Sequence, residues 1–155
     1  MMLRRKRKTN WDTFEEEAKR AIWHAQETAR KRGSSLVEVD DLLLGVLTGR
    51  SNKACRVIEL GCESEASNVF DQIEDRGSKE VAGTSPDDMR LAPSSERAIA
   101  RTYDEVKRIG SETVGPEHIL AGIVSAGDAV GIEVLLAHGM DLDKVRSLIR
   151  VLQKP

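Results

Sequence analysis

Hydrophobic residues recur at helical spacing along most of the chain. One apolar stripe near the start is formed by Phe14, Ala18, Ala21, Ile22, Ala25 and Ala29. Spacings of three and four residues are typical of an amphipathic helix. Gly33 follows the stripe and predicts its end, because glycine readily adopts the left-handed backbone of a helix C-terminus. Thr13 followed by Glu16 predicts a capping box at its start.

Two shorter segments are apolar nearly all round. They are "EVDDLLLGVL", residues 38–47, and "GPEHILAGIV", residues 115–124. Each opens with acidic residues, which favour the first turn of a helix, and Pro116 suits the first helical position. An apolar surface on every side indicates a helix enclosed by others. The sequence therefore predicts two buried central helices, one starting near Asp40 and one at Pro116.

Further helices follow each central segment. Asn52 predicts the cap of a third helix that runs to Leu60, and Ser64 predicts the cap of a fourth. In the second half, the same reasoning predicts helices over residues 93–109, 128–138 and 141–152, besides the central one.

The two halves of the sequence repeat each other. When Gly33 is aligned with Gly110, the same offset places Asp40 on Glu117 and Gly45 on Gly122. Matches at a nearly constant offset over most of each half indicate an internal duplication. We therefore expect an all-α fold: two four-helix units packed as a pseudo-two-fold bundle of eight helices.

The repeat also sets the expected domain organisation. We expect a basic tail at residues 1–10, a first repeat at 11–74, a polar linker at 75–90 and a second repeat at 91–155. The linker contains turn-forming residues and has no hydrophobic periodicity. Because a chain of 155 residues builds a sizeable core only if its halves share it, we expect one compact domain.

The composition agrees with a helical fold and bears on where in the cell we expect the protein. Hydrophobic residues make up 39% of the chain and aromatic residues 3%, which disfavours a β-sandwich or barrel. The net charge is −2, and since residues 4–8 ("RRKRK") carry +5, the remainder carries −7. That tail is either a solubilising segment or a contact for an anionic partner. No apolar run approaches a membrane span or a secretory signal, so we expect a cytoplasmic protein.

Motifs for catalysis or cofactor binding are missing from these 155 residues. Gly122 and Gly127 have the spacing of a phosphate-binding loop, but Asp128 stands where that loop needs a lysine. Cys55 and Cys62 have no neighbouring His or Cys at metal-ligand spacing. His24 and His138 are interpreted as surface residues. We expect neither enzymatic activity nor a metal or cofactor.

The duplicated helical unit resembles the N-terminal (Clp repeat) domain of Clp ATPases, especially the ClpC type. The resemblance is carried by "GPEHILAGIV", by "VDDLLLGVL" and by the long helices "FEEEAKRAIWHAQETARKRG" and "LAPSSERAIARTYDEVKRIG". It covers roughly residues 11–152. The family's Thr-Glu-His is replaced by Val39-Asp40-Asp41 in the first copy, and Pro116 stands for its threonine in the second.

This resemblance implies a protein-recognition module without the ATPase motor. Its implied partners are Clp ATPase or protease subunits, bound in trans, and protein substrates or adaptors. The implied site lies at exposed helix starts and includes Asp40, Asp41, Glu117 and His118; phosphoarginine is the implied ligand of the two matched acids.

Two alternatives stay open at this point. The acids can serve only to stabilise helix N-termini, and His118 can be a cap or a packing residue. The alternative function is a nucleic-acid-associated helical regulator that uses the basic tail.

Overall fold

The part of the chain that the structure describes folds into α-helices with two very short strands. The computed structural model describes residues 10–49, 51–76 and 90–153. A 3-10 helix (Asn10–Thr13) precedes α1 (Glu16–Lys31), β1 (Leu36–Val37), α2 (Val39–Thr48), α3 (Lys53–Cys62) and α4 (Ala66–Arg76). After the linker come β2 (Arg90–Leu91), α5 (Pro93–Ile109), α6 (Pro116–Ala126), α7 (Val130–Ala137) and α8 (Leu142–Gln153). The expected all-α fold of repeated four-helix units is confirmed. The basic residues 4–8 and most of the linker lie outside the described residues.

Two predicted helix starts are wrong and one is confirmed. Thr13 belongs to the 3-10 helix, and Glu15 precedes α1 in an extended conformation with no side-chain cap. α4 begins at Ala66, one residue later than a cap at Ser64 requires. Asn52 does cap α3: its Oδ1 accepts from the Cys55 N–H at 2.9 Å, and its Nδ2 donates to the Val46 carbonyl at 2.8 Å.

Short extended segments join the two halves in a crossed manner. β1 pairs in parallel with β2, with Val37 opposite Leu91, and an isolated parallel bridge joins Phe14 to Val114. In the alignment of the two copies, Phe14 corresponds to Leu91 and Val37 corresponds to Val114. The two pairings are therefore equivalent, and each joins one half to the other. The extended conformation ahead of α1, where a capping box was predicted, follows from this pairing. The two strands were not predicted from the sequence.

The pairing is held by matching backbone hydrogen bonds. The Glu15 N–H donates to the Val114 carbonyl at 2.9 Å, and the equivalent Ala92 N–H donates to the Val37 carbonyl at 3.0 Å. In each half, the segment before the first helix therefore pairs with the segment before the central helix of the other half.

Glycines allow each long helix to cross its central helix closely. A Cβ on Gly45 would lie 2.3 Å from the carbonyl oxygen of Ala21, and one on Gly122 would lie 2.6 Å from that of Ala98. The side chains of α2 and α6 are nearly all buried. The prediction of two enclosed central helices is therefore confirmed.

Within the described part of the chain, no single helix combines the length and apolarity needed to cross a membrane. α6 and α7 reach both only when taken together, and they are bent by 99° relative to each other. Cys55 is fully buried and Cys62 is half-buried.

Candidate functional site

The acidic helix starts are turned toward the interface between the halves. Glu117 is 3% exposed, and Asp40 is only partly accessible. The expectation that both acids lie at exposed helix tips is therefore wrong. The physical reason is the pseudo-two-fold arrangement, since the start of α2 lies against α7 and the start of α6 lies against α3.

Asp40 caps a helix of the other half. Its Oδ1 accepts from the Gly131 N–H at 2.7 Å, in the first turn of α7. The residue that precedes α7 is Ala129, whose methyl group offers no acceptor. A Cβ on Gly131 would lie 2.7 Å from Asp40 Oδ1, so the close approach needs glycine there. Burial raises the pKa of Asp40, and the bond from Gly131 acts in the opposite direction.

Glu117 occupies the equivalent position in the second half but is paired differently. Its Oε2 lies 4.0 Å from Lys53 Nζ, and its Oε1 accepts no hydrogen bond from any residue that the structure describes. The carboxylate folds over Gly115, where a Cβ would lie 2.2 Å from Oε1. Burial raises the pKa of Glu117, and the nearby charges of Glu15 and Glu17 raise it further, whereas Lys53 lowers it.

Asp41 and His118 are buried caps of their own helices, each 2% exposed. Asp41 Oδ2 accepts from the Glu38 N–H at 2.9 Å, and its two oxygens also bind the Nε and Nη2 atoms of Arg32. Arg32 therefore neutralises a buried carboxylate. The capping alternative that the sequence left open holds for both residues.

His118 accepts the Gly115 N–H on Nδ1 at 2.8 Å. Burial lowers the pKa of His118 from 6.5, so the ring is neutral at pH 7 and its proton lies on Nε2. That Nε2–H is buried without a partner among the described residues.

Sequence reasoning missed a buried ion pair in the second half. Glu105 on α5 is 2% exposed and receives two hydrogen bonds of 2.7 Å from Nε and Nη2 of Arg146 on α8. One signal was present, since Glu105 shares the helical face of Ala98 and Thr102, where an apolar residue is expected. The pair fixes α8 against α5. Across residues 10–49, 51–76 and 90–153, no group of three or more His, Cys, Asp or Glu is arranged to hold a metal ion.

The similarity to known proteins extends across both halves of the chain. The family model described as "Clp repeat (R) N-terminal domain" matches residues 13–138. A ClpA homolog from Guillardia theta, described as an ATP-dependent Clp protease ATP-binding subunit, is 32% identical over 145 residues, which is 92% of this chain and 17% of that protein. The chloroplastic chaperone protein ClpC1 of rice is 29% identical over 141 residues, or 90% of this chain and 15% of the relative. The chain thus spans about a sixth of the length of these curated relatives.

The fold is shared with solved structures as well. The N-terminal domain of the chaperone ClpD from Arabidopsis thaliana superposes with a TM-score of 0.69 at 21% identity, covering 96% of this chain and 100% of that one. Because the family match includes both central helices and most of each repeat, the assignment does not depend on one motif. The chain belongs to the Clp repeat (R) N-terminal domain family.

Proposed function

We propose that the chain is a non-catalytic protein-binding module of the Clp chaperone-protease system. It recognises protein substrates or adaptors, or docks in trans on a Clp ATPase or protease. The observation that carries this proposal is the family match over residues 13–138, in a chain whose curated relatives are ATP-binding subunits of Clp protease and Clp chaperones.

The helix packing supports a non-catalytic role for the segment that has phosphate-loop spacing. Gly122 lies inside α6, pressed against α5, and Gly127 ends that helix with a left-handed backbone at φ 69°. A phosphate-binding loop must instead expose consecutive backbone amides. Residues 122–128 therefore serve as the end of a core helix.

Exposed aromatic residues offer a surface for protein contact. Trp23 on α1 is 56% exposed and Trp11 is 46% exposed. Tryptophan is enriched at protein interfaces because a rigid, largely apolar ring is desolvated on binding. Lys19 Nζ lies 5.9 Å from the Trp11 ring centroid, which adds a cation beside this ring. We propose that these tryptophans contact the protein partner.

The proposal is tested by in-cell cross-linking of the tagged full chain, followed by mass spectrometry. We expect Clp ATPase or protease subunits to be enriched over a tagged, unrelated helical protein. Trp23→Ala should lower that enrichment, while Val151→Ala, at a similarly exposed position on α8, should not. A set of partners without any Clp component contradicts the proposal. Enrichment of nucleic acid that disappears when residues 1–10 are deleted would support the alternative regulator instead.

Ligand binding at the four helix-start residues remains a prediction. Asp41 and His118 already serve as caps, and Asp40 is bonded to α7. Of the four, we propose Glu117 as the residue that contacts a ligand.

A further inference from the structure

Both tryptophans of the chain lie on one exposed surface at the start of the first half. The sequence has two tryptophans, Trp11 and Trp23, and both are exposed. Lys19 connects them, because its ammonium group lies 5.9 Å from the centroid of the Trp11 ring and it precedes Trp23 by about one turn of α1. Arg20 is exposed on the same turn. We define the tryptophan face by these four residues.

The second copy shows that folding does not require a tryptophan at position 23. In the alignment of the two copies, Trp23 corresponds to Ala100, which is also exposed and lies within α5. Alanine is the better helix former of the two. Among the described residues, the ring contact of Trp23 is with its neighbour His24, at 5.1 Å between the ring centroids. Trp23 can therefore contact a partner without any loss of core packing.

Trp11 is held in place by the aromatic side chains beneath it. Its ring centroid lies 5.3 Å from that of the buried Phe14, and Phe14 in turn meets Tyr103 of α5 edge-on at 6.1 Å. A side chain that is already positioned loses less conformational entropy when a partner binds. The residue that corresponds to Trp11 in the second copy is Asp88. The pair of exposed tryptophans is thus a feature of the first copy alone.

The segment that contains the tryptophan face is positively charged, whereas the chain as a whole is negative. Residues 4–32 contain ten Lys or Arg and five Asp or Glu, a net charge of +5. The equivalent residues 81–109 of the second copy contain five of each. Lys19 itself corresponds to Glu96. A positive surface with apolar anchors fits a partner in which acidic and apolar side chains stand next to each other.

Arg20 offers a positive charge that the neighbouring acids do not neutralise. Lys19 is paired with Glu16 at 3.6 Å, but Arg20 forms no ion pair with any residue that the structure describes. Tryptophan and arginine are the residues most enriched among those that dominate binding energy at protein interfaces. A carboxylate of the partner can accept two hydrogen bonds from the guanidinium of Arg20.

Two other classes of partner fit this surface less well. Glu15, Glu16 and Glu17 stand at the start of α1 beside the tryptophan face, and their carboxylates would repel the phosphates of a nucleic acid. In a symmetric dimer of this chain, the same surface of both copies would meet and bring like charges together. The tryptophan face therefore fits a negatively charged protein segment best.

We propose that the tryptophan face binds an acidic segment of the partner protein, in which apolar side chains stand next to Asp or Glu. The apolar side chains pack on the rings of Trp11 and Trp23, and a carboxylate pairs with Arg20. This inference rests on the proposed function, since it names the chemistry of the segment by which the partner is recognised.

The test is a fluorescence titration of the full chain, because its two tryptophans lie on the tryptophan face and report binding themselves. The probes are three peptides of about eight residues, whose extended length matches that of α1. They alternate Leu with Glu, with Gln or with Lys, and contain no aromatic residue. We expect the Leu–Glu peptide to shift the emission to shorter wavelength. It should bind about tenfold more tightly than the Leu–Lys peptide, with the Leu–Gln peptide in between.

Trp23→Ala should weaken binding of the Leu–Glu peptide by about tenfold or more, because an aromatic anchor is removed, and Trp11 still reports the titration. Arg20→Gln should weaken binding of the Leu–Glu peptide by about threefold and leave that of the Leu–Gln peptide within about twofold of the parent chain. Arg97→Gln is the matched control, since Arg97 occupies the equivalent exposed position on α5. Circular dichroism confirms that each variant is folded before its titration is interpreted.

Three results overturn the inference: no change in emission with the Leu–Glu peptide at millimolar concentration, equal affinity for the Leu–Glu and Leu–Lys peptides, or unchanged affinity in Trp23→Ala. A single-stranded oligonucleotide and light scattering of the concentrated chain test the two other classes of partner. If either of these binds through Trp23 and the Leu–Glu peptide does not, the inference is also overturned.

Failure of this inference is distinguished from failure of the proposed function by the cross-linking experiment. If Clp subunits are captured but every peptide fails, the proposed function stands and the acidic segment is wrong. If the Leu–Glu peptide binds as expected but no Clp component is captured, the chemistry of the tryptophan face stands and the proposed function is wrong.

Discussion

Asp41 and His118 make the same hydrogen bond in the two halves with different chemistry. Asp41 accepts the Glu38 N–H at 2.9 Å, and His118, its counterpart in the second copy, accepts the Gly115 N–H at 2.8 Å. Arg32 neutralises the first acceptor, and Ile109 stands at the position equivalent to Arg32 in the second half. One half thus buries an ion pair where the other buries a neutral ring.

We predict that Arg32→Met destabilises the chain by about 3–5 kcal/mol, because it leaves the Asp41 carboxylate buried without its counter-ion. Urea denaturation monitored by circular dichroism measures the loss. Arg101→Met, at an exposed position on α5, should change stability by less than about 0.5 kcal/mol.

The second half suggests a compensating change for Arg32. In the double variant Arg32→Ile, Asp41→His, stability should be higher than in Arg32→Met, because the carboxylate is gone and the imidazole retains the cap. Equal stability of the two variants would show that the buried charge is not the cause of the loss.

Because the helices cross closely at two glycines, we predict that adding a single methyl group at either one lowers the stability of the chain. Gly45→Ala and Gly122→Ala should each destabilise the chain by about 1–3 kcal/mol, because the new Cβ meets backbone atoms that cannot move aside independently. Thermal denaturation reports the effect. Gly49→Ala is the control, since its Cβ would meet only Asn52 Nδ2 at 3.4 Å and its backbone is right-handed. A similar loss in all three variants would exclude crowding at the crossings as the cause.

Because Glu117 is buried, we predict that Glu117→Gln is more stable than the parent chain by an amount that depends on pH. Because its folded pKa is raised above 4.5, ionised Glu117 opposes folding at neutral pH, and this cost disappears as pH falls through the raised pKa. Glu117→Gln should therefore be more stable than the parent chain at pH 7. The two stability curves should meet below about pH 4.5, which is the unfolded value.

Urea denaturation from pH 4 to 8 tests this prediction. Glu59→Gln, at an exposed position on α3, should show no such convergence. A constant difference between Glu117→Gln and the parent chain across the whole range contradicts it.

For His118, we predict that stability changes with pH in the direction opposite to that for Glu117. Its folded pKa is lowered from 6.5, so the stability that the neutral ring provides is complete above pH 6.5 and is lost as pH falls through the lowered value. Glutamine at this position keeps a side-chain acceptor for the helix start. His118→Gln should therefore lose less stability than the parent chain on acidification below pH 6.5. His24→Gln serves as the control and should follow the parent chain.

The sequence predicted what depends on local spacing and on the repeat. Helix periodicity located the central helices, and Asn52 identified the cap of α3, because these features involve residues within a few positions of each other. The role of Asp40 was not predictable in this way, since its partner Gly131 is 91 residues away. The pairing of Glu105 with Arg146 was also missed, since 41 residues separate the two in the sequence. The crossed strands were missed because each contains only two residues, too few to show alternation.

The crossed pairing of Phe14 with Val114 and of Val37 with Leu91 bears on how this chain arose. Each copy pairs the segment before its first helix with the other copy, as subunits of a symmetric homodimer do. An ancestor with one copy would reach the same arrangement by self-association, each molecule completing the other. With both copies in one chain, the same arrangement forms independently of protein concentration, and the two copies can differ in sequence.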